Sequence, residues 1–194
     1  MSAQPPLFYF GAMSPYSWLA AERIDALLPT ASWRGILAGV IFEAHGRTSW
    51  GLTEQRAEGL AECERRAAAH GLGPILWPQP WPTSDLHAAR GMLFAEQQGS
   101  HKPFALEVMR MAFREGIDIA KPDAVLEAGR RVGLDPGAMA EGMGESALKQ
   151  RLRELNDEAL AAGVFGVPTV LVGGELFWGD DRLDDAAGAY RAQL

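Results

Sequence analysis

The sequence predicts an α/β protein whose sheet is interrupted by a long run of helices. Three observations carry this prediction: a short aromatic strand-like run near the start, nearly continuous helical periodicity across residues 43–162, and two strand-like runs flanking a Gly-Gly pair near the end.

The first run is LFYF, Leu7 to Phe10, closed by Gly11, and its short apolar and aromatic character suits a buried strand better than a helix. From Pro15 the spacing changes. Trp18, Leu19, Ala21, Ile24, Leu27 and Leu28 form a helix-period stripe that stops near Pro29. A second strand is expected within Ser32 to Ile41, with Gly35 and Gly39 leaving its limits open. Helices are then expected over Thr53–His70, Ser84–Gln98, Pro103–Glu115, Pro122–Val132 and Ser146–Ala162. The last carries Leu148, Leu152, Leu155, Ala159 and Ala162 on one stripe, with Gly163 placed to end it. LWPQPWP, Leu76 to Pro82, holds too much proline for regular structure and reads as an ordered, lid-like crossing. PTVLV, Gly173-Gly174 and ELFW have the pattern of a β-hairpin, and a closing helix from Asp181 places Leu183, Ala187, Tyr190 and Leu194 on one side. The organisation read from this order is a sheet unit, 1–42 plus 163–194, with a helical insertion, 43–162, between its halves.

Composition narrows the function. The chain has 194 residues, 47% of them hydrophobic, which is enough for a proper core. A formal charge of -7 without any run of Lys or Arg gives no footprint for nucleic acid or anionic lipid. The start, MSAQPPLFYF, lacks the basic and apolar regions of a signal peptide, and no segment is apolar for long enough to span a bilayer, so a cytoplasmic location is expected. Cys63 is the single cysteine, which rules out an intrachain disulfide or a dithiol pair.

Three stretches offer chemistry. Ser14 falls at the N-cap of the first helix with Pro15 at N1, where the free N–H groups and partial positive charge stabilise an anion and a hydroxyl can donate to it. Ser-Pro is also a common way simply to start a helix. In GVFGVPT, Gly163 to Thr169, Val167-Pro168 enters a strand; a trans bond makes it ordinary, while a cis bond would present the Val167 backbone as an unpaired edge for a peptide. In FWGDDRL, Asp180 and Asp181 open the final helix, either as cap and dipole partner or as an anion for a ligand's ammonium group.

Together these stretches resemble the DsbA-type proteins of the thioredoxin-like fold, and within them the branch of 2-hydroxychromene-2-carboxylate isomerases and kappa-class glutathione transferases. The resemblance rests on FYF and SPYSW, GVFGVPT, and FWGDDRL, and by order of elements covers almost the whole chain. It implies a thioredoxin-like sheet interrupted by a long all-helical insertion, with SPYS, Ser14 to Ser17, in place of a redox CxxC. Glutathione would supply the sulfur. Ser14 would hydrogen-bond its thiolate, Val167 before a cis-Pro168 would pair with its cysteinyl backbone, and Asp181, with Asp180 adjacent, would hold its γ-glutamyl amino end. Tyr16 and Trp18 would be aromatic wall, although Trp18 also fits a plain core role, and Trp50 with the Trp77–Trp81 loop would accept a planar substrate. The chain departs from the family at Gly11, where an Asp usually stands three residues before the serine, so a buried carboxylate is missing at that point. It departs again at GILAGVIFEAHGRTSWG, Gly35 to Gly51, which puts Thr48, Ser49 and Trp50 where the family contacts glutathione.

Other candidates are weaker. His45, His70, His87 and His101 lack metal-ligand spacing, so no metal is expected. Cys63 is either a half-buried inert thiol or one activated by Arg65 and Arg66. Arg90, Arg110 and Arg114 are expected on solvated helix faces. The function implied is glutathione-dependent cis-trans isomerisation of an aromatic catabolite by thiolate addition, bond rotation and elimination, in a homodimer. Glutathione transfer to an electrophile and a non-catalytic binding platform are the other readings, whereas Ser14 and Ser17 cannot form the disulfide of a dithiol oxidoreductase.

Overall fold

A computed structural model describes residues 4–194; residues 1–3 of the expected first unit lie outside the described residues. β1 (Leu7–Phe10) sits inside a four-stranded sheet of order β2-β1-β3-β4. It runs parallel to β2 (Ser32–Gly35), with Phe8 opposite Trp33, and antiparallel to β3 (Thr169–Val172), with Phe8 opposite Val170. β4 (Glu175–Trp178) returns from β3 through Gly173 and Gly174, whose φ angles of 56° and 92° are those a tight two-residue turn demands. The α/β class and the interrupted sheet are thus as the sequence predicts.

Parallel strands need a crossover, and α1 (Pro15–Leu27) supplies it. Its stripe is fully buried at Trp18, Leu19 and Ile24. Phe8 and Phe10 stack at 5.0 Å and meet Trp33 edge-on at 5.1 and 5.4 Å, so one face of the sheet is an aromatic block. The Trp33 Nε1–H donates to Asp25 of α1, and the Lys102 ammonium lies 5.6 Å from the Trp33 ring, which fastens the block to the helices covering it.

The second strand is shorter than expected, because β2 stops at Gly35 and α2 (Ala38–Ala44) follows, with the expected boundary at residue 42 falling inside it. A short apolar run such as Val40-Ile41-Phe42 reads equally as strand or helix, and no neighbouring strand extends far enough to pair with it. The chain is instead fastened by Asn156, whose Oδ1 accepts from the Leu37 N–H at 2.9 Å and whose Nδ2 donates to Leu152 O at 2.7 Å.

After a single 3-10 turn at Trp50–Leu52 come α3 (Arg56–Ala69), α4 (Leu86–Gln97), α5 (His101–Glu115), α6 (Pro122–Arg131), α7 (Pro136–Gly144) and α8 (Ser146–Ala161), and after the hairpin a 3-10 turn at Asp180–Arg182 leads into α9 (Leu183–Arg191). α7 was not expected, since its three glycines, Gly137, Gly142 and Gly144, look like loop. The residues that hold it are Asp135, which caps Ala138 N at 2.7 Å, and Met139, whose methyl occupies the space beside Gly91 of α4. Glycine there serves close helix packing. One continuous core joins the sheet with these helices, so the insertion is packed onto the strands.

Arg110, with its side chain 40% exposed, lies at the solvated face expected of it but is not free there. Its Nε and Nη2 donate at 2.8 and 2.6 Å to Glu22 of α1, which is buried and also accepts from Trp18 Nε1. Burial alone would raise the Glu22 pKa, but the bonds from Arg110 and Trp18 outweigh it and hold the carboxylate below its usual range. Arg110→Met should therefore destabilise the protein by about 2 to 4 kcal/mol at neutral pH, because a buried carboxylate loses its cation. The loss should shrink toward pH ~4, where the carboxyl takes up a proton, as chemical denaturation at the two pH values would measure.

Candidate active site

Three hydrogen bonds close the turn from β1 into α1. Ser14, extended at φ -92° and ψ 118°, accepts from the Ser17 N–H at 3.2 Å; buried Ser17 accepts from the Gly11 N–H at 3.3 Å; and the Ser14 N–H donates to Gly11 O at 3.1 Å. The Ser14 hydroxyl hydrogen is not used in any of these bonds. A cavity of about 1090 Å³ opens at this helix mouth and holds Ser14, Tyr16, Trp50, Val167, Pro168, Asp180 and Asp181 in one lining. Trp18 is absent from it.

That absence is a correction. Trp18 is fully buried, stacks on Phe113 of α5 at 5.8 Å and donates to Glu22, so it belongs to the core and cannot face a substrate. Helical geometry gives the reason: Ser14 and Tyr16 face outward from the first turn, while Trp18 falls on the stripe with Leu19 and Ile24.

On the opposite wall the Val167-Pro168 peptide is cis. The Val167 N–H and C=O make no hydrogen bond among the described residues, whereas Pro168 O is taken by the Gly179 N–H at 2.9 Å. The wall therefore offers one free donor and one free acceptor. At the acidic end the two carboxylates differ. Asp180 is 1% exposed, with Oδ1 at 2.6 Å from Arg66 Nη1 and Oδ2 without a partner. Burial raises its pKa against the pull of Arg66. Asp180 thus fixes Arg66, and Asp181, whose side chain is 59% exposed and 3.5 Å from the same Nη1, is the carboxylate presented outward.

The third wall is aromatic. Tyr16 lies edge-on to Trp50 at 6.1 Å, Trp50 lies 5.0 Å from Trp81, and Trp81 Nε1 donates to Met13 O at 3.1 Å. Trp81, from the proline-rich crossing, lines the cavity, but Trp77 does not and donates instead to Glu64. Arg47, Thr48 and Ser49 line it beside Trp50, so the segment that departs from the family does reach the site.

Cys63 lies outside the cavity, beneath Tyr16, and burial pushes its thiol up to about 12. Arg65 and Arg66 do not activate it, as both are held by Glu62. Among the described residues, no three His, Cys, Asp or Glu side chains group as a metal ion would require, and no helix is long and apolar enough to cross a membrane.

Sequence reasoning gave Arg66 a role only beside Cys63, whereas it lines the cavity, and it missed Asp85 altogether. The expected helix containing Asp85 begins two residues early, at Ser84, so the carboxylate passes for an ordinary first-turn residue. In the structure Asp85 occupies the N-cap of α4 yet makes no cap bond. It lines the cavity, its Oδ2 is buried without a partner, and that oxygen lies 3.3 Å from where a Cβ on Gly11 would stand. The carboxylate expected to be missing beside Gly11 is therefore supplied from a distant segment. Burial pushes Asp85 up to about 6, opposed by the backbone N–H groups of Asp85, Met13 and Ala12.

A helix mouth and a cis-proline edge lining one cavity, on a β2-β1-β3-β4 sheet, define a thioredoxin-like protein. The chain belongs to the DSBA-like thioredoxin domain family, whose model matches residues 7–191. It is 28% identical to a 2-hydroxychromene-2-carboxylate isomerase of Sphingobium xenophagum, over 91% of this chain and 93% of that one. It is 25% identical to the isomerase of the same name from Pseudomonas putida, over 91% and 89%. A solved 2-hydroxychromene-2-carboxylate isomerase superposes with a TM-score of 0.87 at 24% identity, covering 96% of this chain and 94% of that one. The cytosolic disulfide reductase DsbM of Pseudomonas aeruginosa, solved with GSH, superposes at 0.68 with 15% identity over 97% and 98%, a likeness of fold alone.

Asp85 carries a stability prediction. A folded-state pKa near 6 against an unfolded value of about 3.9 means that the folded protein binds the proton more tightly, so stability falls as pH rises through this window. The penalty is absent below pH ~4, complete above pH ~7 and amounts to about 3 kcal/mol. Denaturant unfolding between those limits should show the decline in wild type and a flattened profile in Asp85→Asn.

Proposed function

We propose that the protein is a glutathione-dependent cis-trans isomerase of the 2-hydroxychromene-2-carboxylate type, acting on an aromatic catabolite. The observation that carries this reading is the meeting, on one cavity, of the Ser14 helix mouth and the unpaired Val167 backbone, in a family whose curated relatives bear that isomerase name. The residues present fit glutathione. A free hydroxyl hydrogen with the α1 N-terminus suits a thiolate, one free N–H and one free C=O suit a cysteinyl backbone, and outward-facing Asp181 suits an amino group.

When bound, glutathione supplies a sulfur nucleophile that adds reversibly to a conjugated double bond and so permits rotation about it. Ser14 donates its hydroxyl hydrogen toward the sulfur position, and the helix terminus adds its fixed dipole. Val167 orients the ligand by backbone pairing, and Asp181 anchors it at the far end. Tyr16, Trp50 and Trp81 form a wall that receives a planar ring and excludes water from it. Asp180 acts through Arg66, which it holds in place across the ring of Tyr16 at 5.4 Å. No step requires a change of redox state, in keeping with the inert Cys63. The same reading includes a cytoplasmic location and a homodimer, the latter to be checked by light scattering.

Calorimetry should detect millimolar or tighter glutathione binding by wild type, weakened about tenfold in Asp181→Ala. Ser14→Ala should bind nearly as well but lose about 10²-fold in turnover of a 2-hydroxychromene-2-carboxylate. Absence of binding to wild type would overturn the reading. Consumption of glutathione mole for mole would instead make the protein a transferase, and unchanged turnover in Ser14→Ala would remove Ser14 from the chemistry.

A further inference from the structure

Asp85 is a buried carboxylate that neither caps its helix nor receives a cation. Aspartate at an N-cap normally accepts from the first turn of its own helix, yet this side chain makes no such bond and turns toward the Gly11–Ser14 turn and the cavity. It is 8% exposed, and the buried Oδ2 has no hydrogen-bond partner. A buried polar atom left unpaired calls for a reason.

The other buried carboxylates show what structural service looks like here: Glu22 receives Arg110, and Asp180 receives Arg66. No cation comes to Asp85. Around the cavity, Glu43 is exposed, Arg47 donates to Phe165 O, Arg66 is held by Glu62 and Asp180, and Asp181 lies beside Arg66. Asp118, from the loop after α5, accepts from the Thr83 hydroxyl at 3.0 Å, and Arg90 of α4 lines a separate groove with Leu37 and Asn156. None of these charges contributes to the proton affinity of Asp85, which burial and the neighbouring backbone N–H groups set between them.

A thiol that enters the mouth of α1 must lose its proton to become an anion there. Ser14 cannot take that proton, since a hydroxyl is a very weak base and its oxygen already accepts from Ser17. Tyr16 is a half-buried phenol whose pKa burial raises, so it stays protonated, and Asp180 is tied to Arg66. Two adjacent negative charges in a water-poor site resist coexisting, so a carboxylate and a thiolate placed there hold one proton between them.

We propose that Asp85 is the base of this site, taking the proton of the thiol that enters the α1 mouth and returning it when the thiol leaves. The inference rests on the glutathione reading above and adds a named acceptor to it. The S–H bond breaks, an O–H bond forms at the Asp85 carboxyl, and the electron pair stays on sulfur; release reverses each change. No further reactant is needed.

The test counts protons. Glutathione binding is measured by calorimetry at pH ~7.5 in buffers of different ionisation enthalpy, for wild type and Asp85→Asn, with thiolate absorbance followed in parallel; at that pH a free thiol is mostly protonated. Wild type should form thiolate while releasing almost no proton to the buffer, and Asp85→Asn should release close to one for each thiolate formed. A carbon-13 titration of the Asp85 carboxyl in wild type should show its midpoint rising when glutathione is present. In turnover, Asp85→Asn should lose about 10²-fold in kcat/KM and the limb of the pH profile near pH ~6. Equal proton release by both proteins, or an unmoved carboxyl midpoint with glutathione bound, would overturn the role of Asp85 and leave the glutathione reading standing. Failure of wild type to bind glutathione would overturn both.

Discussion

The turn from β1 into α1 is the constraint on which the rest of the structure depends. A helix that begins directly after a strand leaves free N–H groups at its mouth, and here the Ser14 and Ser17 hydroxyls accept from the N–H groups of Ser17 and Gly11. The same bonds set the direction in which α1 leaves the sheet. That direction drives Trp18 onto Phe113 and Glu22 onto Arg110, which draws the helical block against the strands. Gly11 is part of the constraint, because a side chain there would press on Ala38 at 3.1 Å and on the Asp85 carboxylate. Fold and site share one set of hydrogen bonds.

Three buried carboxylates show how the chain allocates charge. Glu22 and Asp180 lie at the two ends of the thioredoxin-like sequence, and each is neutralised by an arginine from the helical block, Arg110 of α5 and Arg66 of α3. These pairs act as clasps between the segments, since loss of either arginine would leave a largely buried carboxylate uncompensated. Asp85 has no such clasp. A penalty of about 3 kcal/mol is a large fraction of the 5–15 kcal/mol by which domains are usually stable, and Asp85 lines the same cavity as Ser14. Local instability at a reacting centre is common, since groups arranged to exchange protons are poorly arranged to hold a fold.

The elements with strong local signals were legible before the structure. LFYF closed by Gly11, the Gly173-Gly174 hairpin and the five expected helices all appear with small shifts at their ends, because periodicity and turn chemistry act within a few residues. α2 and α7 were not legible. The first is a short apolar run that either period fits, and the second is rich in glycine, of which Gly142 leaves the space that Phe94 of α4 occupies. At the site, Ser14, Val167, Pro168, Asp181, Tyr16 and Trp50 could be placed from motifs and do share one cavity. Trp18 could not, since two residues along a helix turn a side chain away from the face that Tyr16 occupies.

The sequence by itself determined the class of the fold, the helix mouth at Ser14 and the absence of a thiol pair. Each of these follows from residue identity and short-range spacing. Only the tertiary structure decided that Arg66 crosses to Asp180, that Asn156 anchors Leu37, and that Asp85 fills the space left open by Gly11. Those residues lie far apart along the chain, and no local pattern records which of them will meet. Their proximity is a consequence of packing, and so is the raised proton affinity of Asp85, because burial is a property of the folded surroundings and of no residue alone.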